Sequence, residues 1–251
     1  MSEQTPVALQ ENPKKKRVAI LFFGLTRSLT SVYSSLKENL FDVLTNNNFE
    51  YDNFVHTYTL PNPYTNHITK TTIYDYDNES YKLLNPRDYI LQNQKLVEQK
   101  LNISQYYSAN IGDWAGYATD PTFCCYCIRN MVLALHSKKK LVELFSKYKD
   151  EYDYVIITRP DQRLDNKFNI NAFLLLNDSN IIVPKGHAYT GINDRICISK
   201  PKNAIIYGLA FNMLLAYSKK NKIVSEAYWK WYINGCRINI IYGSLSATLI
   251  R

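Results

Sequence analysis

Val18-Ala19-Ile20-Leu21-Phe22-Phe23-Gly24-Leu25-Thr26-Arg27-Ser28 is the stretch that decides the fold. An apolar run without polar alternation, stopped by a glycine, is the pattern of a strand covered on both faces of a sheet. Ser28 can then cap a helix, and Val32, Leu36, Leu40 and Val43 recur at helical spacing until Asn46-Asn47-Asn48 stops it. Tyr51 to Tyr58 reads as a second strand, with Phe54 and Val55 at its centre and Pro61 and Pro63 beyond its end. Strand, helix and strand in this order form a right-handed parallel crossover.

Outward from this unit the alternation continues. Asn62 to Asn85 is polar and aperiodic and reads as an excursion over the sheet edge, after which Asn85-Pro86 launches a helix through Ile90, Gln94, Val97 and Leu101. A second irregular stretch, Asn110 to Pro121, holds Gly112, Trp114 and Gly116. The strongest helical period runs over Phe123 to Tyr148, with Ile128, Met131, Leu135, Leu141, Leu144 and Phe145 on one face. Tyr152 to Thr158 is a β-branched run that predicts a central strand stopped by Pro160, and Ile181-Ile182-Val183 before Pro184 predicts another. Pro201 opens a helix through Ile205, Leu209, Met213 and Tyr217; Ser225-Glu226 opens one that ends at Gly235; Ile238 to Tyr242 is a last strand. The pattern is that of one α/β domain over residues 18–251, a mainly parallel sheet flanked by helices, behind a polar, basic lead-in of residues 1–17.

With 251 residues, 46% of them hydrophobic and 21% charged, the chain is neither disordered nor fibrous. Lys plus Arg number 30 against 22 Asp plus Glu, and the net charge of +8 favours anionic partners: phosphates, nucleic acid or acidic lipid. No run approaches the ~18 apolar residues of a membrane span. Met1 to Pro13 lacks the apolar core of a secretion signal, so a cytoplasmic protein is expected. The 5 Cys are an odd number, and Cys124-Cys125-Tyr126-Cys127 has no second ligand pair; these residues read as small hydrophobes at a helix start, not as a zinc site. Lys14-Lys15-Lys16-Arg17 and Lys138-Lys139-Lys140 read as solvated faces.

In open parallel sheets ligands lie beyond the carboxyl ends of the strands. That rule selects Gly24 to Ser28, His56 to Tyr58, Arg159 to Asp165 and Lys185 to Arg195. At the first of these, a glycine admits close backbone approach, a helix N-terminus offers N–H groups and Arg27 offers a bidentate phosphate contact, which suits a diphosphate. The segment matches neither GxGxxG nor GxxxxGK[ST], and an ordinary turn with a surface arginine is the competing reading. Asp161 and Asp165 are hard oxygen ligands suited to Mg²⁺ or Mn²⁺ bridging to phosphate oxygens, with Arg159 and Arg163 neutralising the same phosphates; a surface salt-bridge turn competes. In Gly191-Ile192-Asn193-Asp194-Arg195, Asp194 is a candidate general base, and its competing role is pairing with Arg195.

Phe23-Gly24-x-x-Arg27-Ser28, His56, the run Tyr152-Asp153-Tyr154-Val155-Ile156-Ile157-Thr158-Arg159-Pro160-Asp161 and then Asn193-Asp194-Arg195, in that order, resemble the small GT-A-type glycosyltransferases. The nearest in character are those encoded by large algal and giant DNA viruses and related capsule-type transferases. The resemblance spans about Val18 to Tyr242 and implies a GT-A-like, Rossmann-related domain. It also implies a nucleotide-diphosphate sugar donor with UDP favoured, a glycan hydroxyl as acceptor and, for a viral protein, the host cytoplasm. The family's acidic DxD motif holds a divalent metal on the diphosphate. Asp161 stands at its position, although Gln162-Arg163 follow and the next carboxylate is Asp165; the literal DxD at Asp75-Tyr76-Asp77 lies in the irregular excursion and ranks second. The resemblance further implies that Phe23, Gly24, Thr26 and Arg27 line the nucleotide pocket, with His56 near the base or ribose and Arg159 on the diphosphate. The turn carrying Asn193, Asp194 and Arg195 would border donor sugar and acceptor, and Glu226 would lie in the region that closes over the acceptor. Asp194 takes the acceptor proton if the reaction inverts; a retaining enzyme needs no such base.

The alternative reading comes from another class: a non-catalytic, basic nucleic-acid-binding protein, with its 21 Tyr as stacking groups, or a glycan-binding protein of the same fold. Dispersed tyrosines and the lack of any RNP-like, zinc-finger or helix-turn-helix signature disfavour nucleic acid.

Overall fold

The first strand, β1 (Arg17–Phe23), sits where its composition demands. Ala19, Leu21 and Phe23 pack into one apolar cluster and Val18, Ile20 and Phe22 into another, so the strand is buried on both faces. The computed structural model describes residues 14–66, 69–107, 120–189 and 191–250; Gly112, Trp114 and Gly116 lie outside them.

After β1 come α1 (Leu29–Leu36), a π-helical turn (Lys37–Phe41) and α2 (Asp42–Asn46). The wide turn places both Leu40 and Phe41 inside and carries the apolar phase on to Leu44, leaving Val43 half-buried. Ser28 stands at the helix start without capping it: its hydroxyl donates instead to the Ile250 carbonyl at 3.0 Å. β2 (Glu50–Thr59) follows, then a small hairpin of β3 (Tyr64–Asn66) and β4 (Thr71–Ile73) within the excursion. The helix expected from Pro86 begins later, because Ile90 lies in a strand, β5 (Asp88–Asn93), paired parallel with β2; α3 (Gln94–Leu101) starts only where the Asn93 side chain accepts from the Leu96 N–H.

The long helix is α4 (Pro121–Phe145), capped by the Asp120 carboxylate on the Thr122 N–H. Then come β6 (Tyr154–Thr158), β7 (Gln162–Leu164), β8 (Asn180–Pro184) and β9 (Cys197–Ser199). The single helix expected from Pro201 to Tyr217 is two, α5 (Pro201–Gly208) and α6 (Phe211–Ser218). The break coincides with capture of the Ala210 carbonyl by the Tyr228 hydroxyl, reached from α7 (Ser225–Gly235). β10 (Asn239–Gly243) and β11 (Ala247–Leu249) end the described chain.

The main sheet has the order β10-β8-β9-β6-β1-β2-β5. All its pairings are parallel except those of β9, a three-residue strand inserted antiparallel between β6 and β8. Helix α4 supplies Ile128, Met131, Leu135 and Phe145 to the cluster on the Leu21 face, and α1 and α2 supply Leu29, Leu36 and Leu44 to the Ile20 face. The fold is thus α/β with a seven-stranded, mainly parallel sheet flanked by helices, as the alternation of the sequence implied. The carboxyl ends of β1, β2 and β6 lie side by side, and β7 paired antiparallel with β11 brings the chain's last described residues back beside them: the Ile250 N–H donates to the Asp161 carbonyl at 3.0 Å.

Candidate functional site

Gly24 turns the chain out of β1 at φ +96°, a conformation that residues with a Cβ rarely adopt. Its N–H is held twice, by the His56 carbonyl at 3.1 Å and the Ser137 hydroxyl at 2.9 Å. Ser137 comes from α4 and lies 2.7 Å from His56 Nδ1, while His56 Nε2 meets Gln92 Oε1 at 2.9 Å. An amide oxygen only accepts, so the imidazole proton sits on Nε2 and Nδ1 accepts from Ser137. His56 is 0% exposed and therefore braces the turn from behind instead of touching a ligand, as its position at a strand end had suggested. Thr26 is likewise buried, its hydroxyl accepting from Ser80 at 2.8 Å. Phe23 is buried and lies under a lysine described below.

Burial holds His56 as the neutral ring and pushes its pKa down to about 4; burial and the Lys140 and Lys139 charges do the same to His136, also to about 4. The unfolded chain binds these protons near pH 6.5, so stability falls with falling pH through the interval from 6.5 to 4, by about 1.4 kcal/mol per histidine per pH unit. Glu226 opposes this. Burial and the Asp194 charge raise it to about 7 from 4.5, so it takes up its proton earlier in the folded state and offsets about one histidine. The net expectation is a loss of about 3 kcal/mol between pH 6.5 and 4.5. Urea unfolding at the two pH values checks this, and stability that rises over that interval contradicts it.

Arg27 and Arg159, with Gly24, Leu25, Tyr58 and Asn130, line a cleft at the carboxyl ends of β1 and β2. Behind them is Asp161, 0% exposed. Arg159 grips it bidentately, Nε to Oδ1 and Nη2 to Oδ2 at 2.8 Å each, and Arg27 Nη2 reaches Oδ2 at 3.3 Å. Two guanidiniums around one carboxylate leave a net positive charge facing the cleft, and the buried Arg27 Nε has no hydrogen-bond partner among the described residues. A larger cleft of ≈ 400 Å³ lies between residues Ile170–Leu175 and the β8–β10 edge, but among the described residues no charged side chain lines it.

The metal expectation does not fit this geometry. Both oxygens of Asp161 are taken by arginines. Asp165 lies beyond β7, which at ~3.3 Å per extended residue puts it about 13 Å along the chain. It is bound to Arg163, Ser246 and Thr248. Asp75 and Asp77 are exposed on either side of the buried Tyr76. Among the described residues no three His, Cys, Asp or Glu come together as a cation site. Arg163, expected to neutralise the same phosphates as Arg159, is also outside the cluster, on β7 and more than half exposed, whereas Arg27 and Arg159 share the cleft.

The second half of the site is the turn before β9. Asn193 organises it, donating to the Gly186 carbonyl at 2.7 Å and accepting from the Arg195 N–H at 2.9 Å; it is 4% exposed and is a loop brace, not a ligand contact. Gly191 lies backbone to backbone against the start of α7, and the Ile192 N–H donates to the Glu226 carbonyl at 3.1 Å. This docking brings the Asp194 carboxylate to the Ser225 hydroxyl at 2.5 Å and into the field of Glu226. Asp194 is not ion-paired with Arg195 among the described residues; Arg195 instead acts electrostatically on Glu226. Arg159 joins the two halves, since its guanidinium is stabilised by Asp161 and also by Asp194.

Sequence reasoning missed Lys138. With its neighbours it reads as a solvated run, but it is 1% exposed, 2.6 Å from the Asp194 carbonyl and surrounded by the rings of Phe23, Tyr207 and Trp229. A signal existed: at α4's period Lys138 continues the inward row of Met131 and Leu135, whereas Lys139 and Lys140 are only half-buried.

No helix of the described residues is long and apolar enough to cross a membrane. Neither a family model nor a curated protein sequence matches the chain. Among solved structures the chain is similar to the apo form of mouse xyloside xylosyltransferase 1, with 9% identity and a TM-score of 0.42, over 91% of this chain and 85% of that one. A likeness this distant leaves function to the site itself.

Proposed function

We propose that the protein transfers a sugar from a nucleotide-diphosphate donor, UDP favoured, to a hydroxyl of a glycan. One observation carries the reading: two largely buried arginines that share a single carboxylate open, beside the left-handed Gly24 turn, onto a cleft at the carboxyl ends of parallel strands. A cleft of ≈ 100 Å³ is small against the ~300–1,000 Å³ of a typical ligand site. It suits the charged middle of such a donor, with base and sugar extending over the surface on either side.

Departure of the diphosphate develops the largest charge of the reaction, and donors already fixed in place stabilise it without reorganising. Arg27 and Arg159 are fixed by Asp161 and supply that charge stabilisation in this scheme. Asp194, oriented by Ser225, accepts the proton of the acceptor hydroxyl in an inverting transfer. The donor and acceptor classes come from the resemblance of the sequence motifs, and the site chemistry is compatible with them.

Calorimetry with UDP and other nucleoside diphosphates tests the reading. Binding is expected without added Mn²⁺, and Arg27→Ala should weaken it about 10- to 150-fold, the equivalent of one charge-assisted hydrogen bond. Absence of binding by every nucleoside diphosphate at millimolar concentration would sink the proposal.

A further inference from the structure

A lone ammonium in a protein interior is strongly disfavoured unless something replaces its water. Lys138 lies about two turns before the end of α4, and among the described residues no carboxylate forms an ion pair with it. What replaces water is one carbonyl, that of Asp194, and three ring faces: Phe23 at 4.3 Å, Trp229 at 4.4 Å and Tyr207 at 5.2 Å from Nζ. Tyr207 and Trp229 stack on each other at 4.0 Å, and the Tyr207 hydroxyl approaches the same Asp194 carbonyl at 3.4 Å. A methionine would fill this space without burying a charge. The cage is assembled from β1, α5 and α7, so three separate elements converge on the α4 ammonium, and that ammonium touches the backbone of Asp194.

We infer that Lys138 is a positioning residue: it holds the Asp194 turn by its carbonyl so that the carboxylate meets Ser225. The inference rests on the transferase reading for what Asp194 does in turnover, but the arrangement itself is independent of it.

The charged and titratable groups around this point are few. Asp194, Arg159, Cys197 and Glu226 act on Lys138, and Asp194, Arg195 and Lys138 act on Glu226. Burial pushes the Cys197 thiol up to about 12, so it is neutral at physiological pH. Burial lowers Lys138 to about 8, while Asp194 works the other way. Lys138 favours ionised Glu226; deleting its charge therefore raises the Glu226 midpoint above its value of about 7.

The test is a carboxylate ¹³C NMR titration of the full chain, comparing native protein with Lys138→Met, alongside UDP calorimetry and turnover. In the native protein the Glu226 signal should show a second inflection near pH 8, where Lys138 titrates. In K138M that inflection disappears and the Glu226 midpoint rises by about half a pH unit or more. UDP binding should stay within about twofold, because Lys138 does not line the Arg27 cleft, while turnover falls about tenfold or more as the carboxylate loses its orientation. A merely structural lysine would lower stability but leave the ratio of turnover to UDP binding unmoved. The inference is overturned if the native Glu226 signal shows no inflection near pH 8, a result that needs no variant to fold, or if a folded K138M turns over as the native protein does. Should the native protein bind no nucleoside diphosphate while the midpoint still moves, the Lys138 arrangement stands and only the transferase reading falls.

Discussion

Arg159→Ala is expected to lower the unfolding free energy by about 3–5 kcal/mol and to remove donor binding at the same time. The size follows from what stays behind. Asp161 is 0% exposed and loses both bonds of its bidentate partner, keeping only Arg27 at 3.3 Å. Breaking a buried pair by deleting one member costs this much because the surviving charge has no water to turn to. For a chain of 251 residues this corresponds to a fall in Tm of about 6–20 °C. Arg159→Lys should rescue little, since an ammonium cannot reproduce the two-pronged contact. Asp161→Asn separates two roles for the carboxylate. A metal ligand would leave stability little changed and remove a Mn²⁺ requirement. A carboxylate that holds two arginines instead lowers Tm and loosens UDP binding with or without Mn²⁺. Thermal unfolding and calorimetry on the three variants read all of these outcomes, and an Arg159→Ala protein of native Tm would contradict the ion cluster.

The same cluster shows why the sequence disclosed part of this site and hid the rest. β1, α4 and β6 were legible because each is decided locally: an unbroken apolar run, a long 3.6-residue period, a β-branched run before proline. The strand-end rule then found Gly24, Arg27, Arg159 and Asp194, which do stand at the edges of the sheet's carboxyl side. It could not say what each would touch. Asp161 looked like a metal ligand because its partner Arg27 is 134 residues away, and pairing over that distance has no local signature. His56 looked like a ligand contact because it ends a strand, but Ser137 and Gln92 enclose it from α4 and β5. Lys138 was hidden by its company, two lysines of ordinary partial exposure, and by a cage drawn from residues 23, 207 and 229. β5 reads as helix in the sequence because proline near a helix start is a strong cue. The competing cue, pairing with β2, depends on an edge that exists only once the sheet has formed.

Gly191→Ala is expected to separate the two halves of the site without dissolving the fold. A Cβ at position 191 would stand 1.8 Å from the Glu226 carbonyl oxygen and 2.0 Å from its carbon, and 2.5 Å from the Ala227 nitrogen. All three atoms are backbone, at the beginning of α7, so no flexible side chain can yield. Relief requires the turn at residues 191–195 to move off the helix by more than an ångström, which breaks the Ile192 N–H bond to the Glu226 carbonyl and pulls Asp194 away from Ser225. Overpacking of this kind costs about 1–3 kcal/mol where a core can adjust, and this backbone contact belongs at the upper end or above it. The functional loss should be larger than the loss of stability, since a displacement of about 1 Å at a reacting group can reduce turnover about 100-fold. Arg27, Arg159 and Asp161 follow β1 and β6 and are hydrogen-bonded to one another and to the returning chain end, while Arg159 has only an electrostatic link to this turn, so UDP binding should persist within a few-fold. Calorimetry and initial rates on the variant therefore diverge if the diphosphate cleft and the Asp194 turn are separate supports of one reaction. Equal losses of binding and turnover would place Gly191 in the donor cleft itself, and an unchanged rate would remove Asp194 from the mechanism.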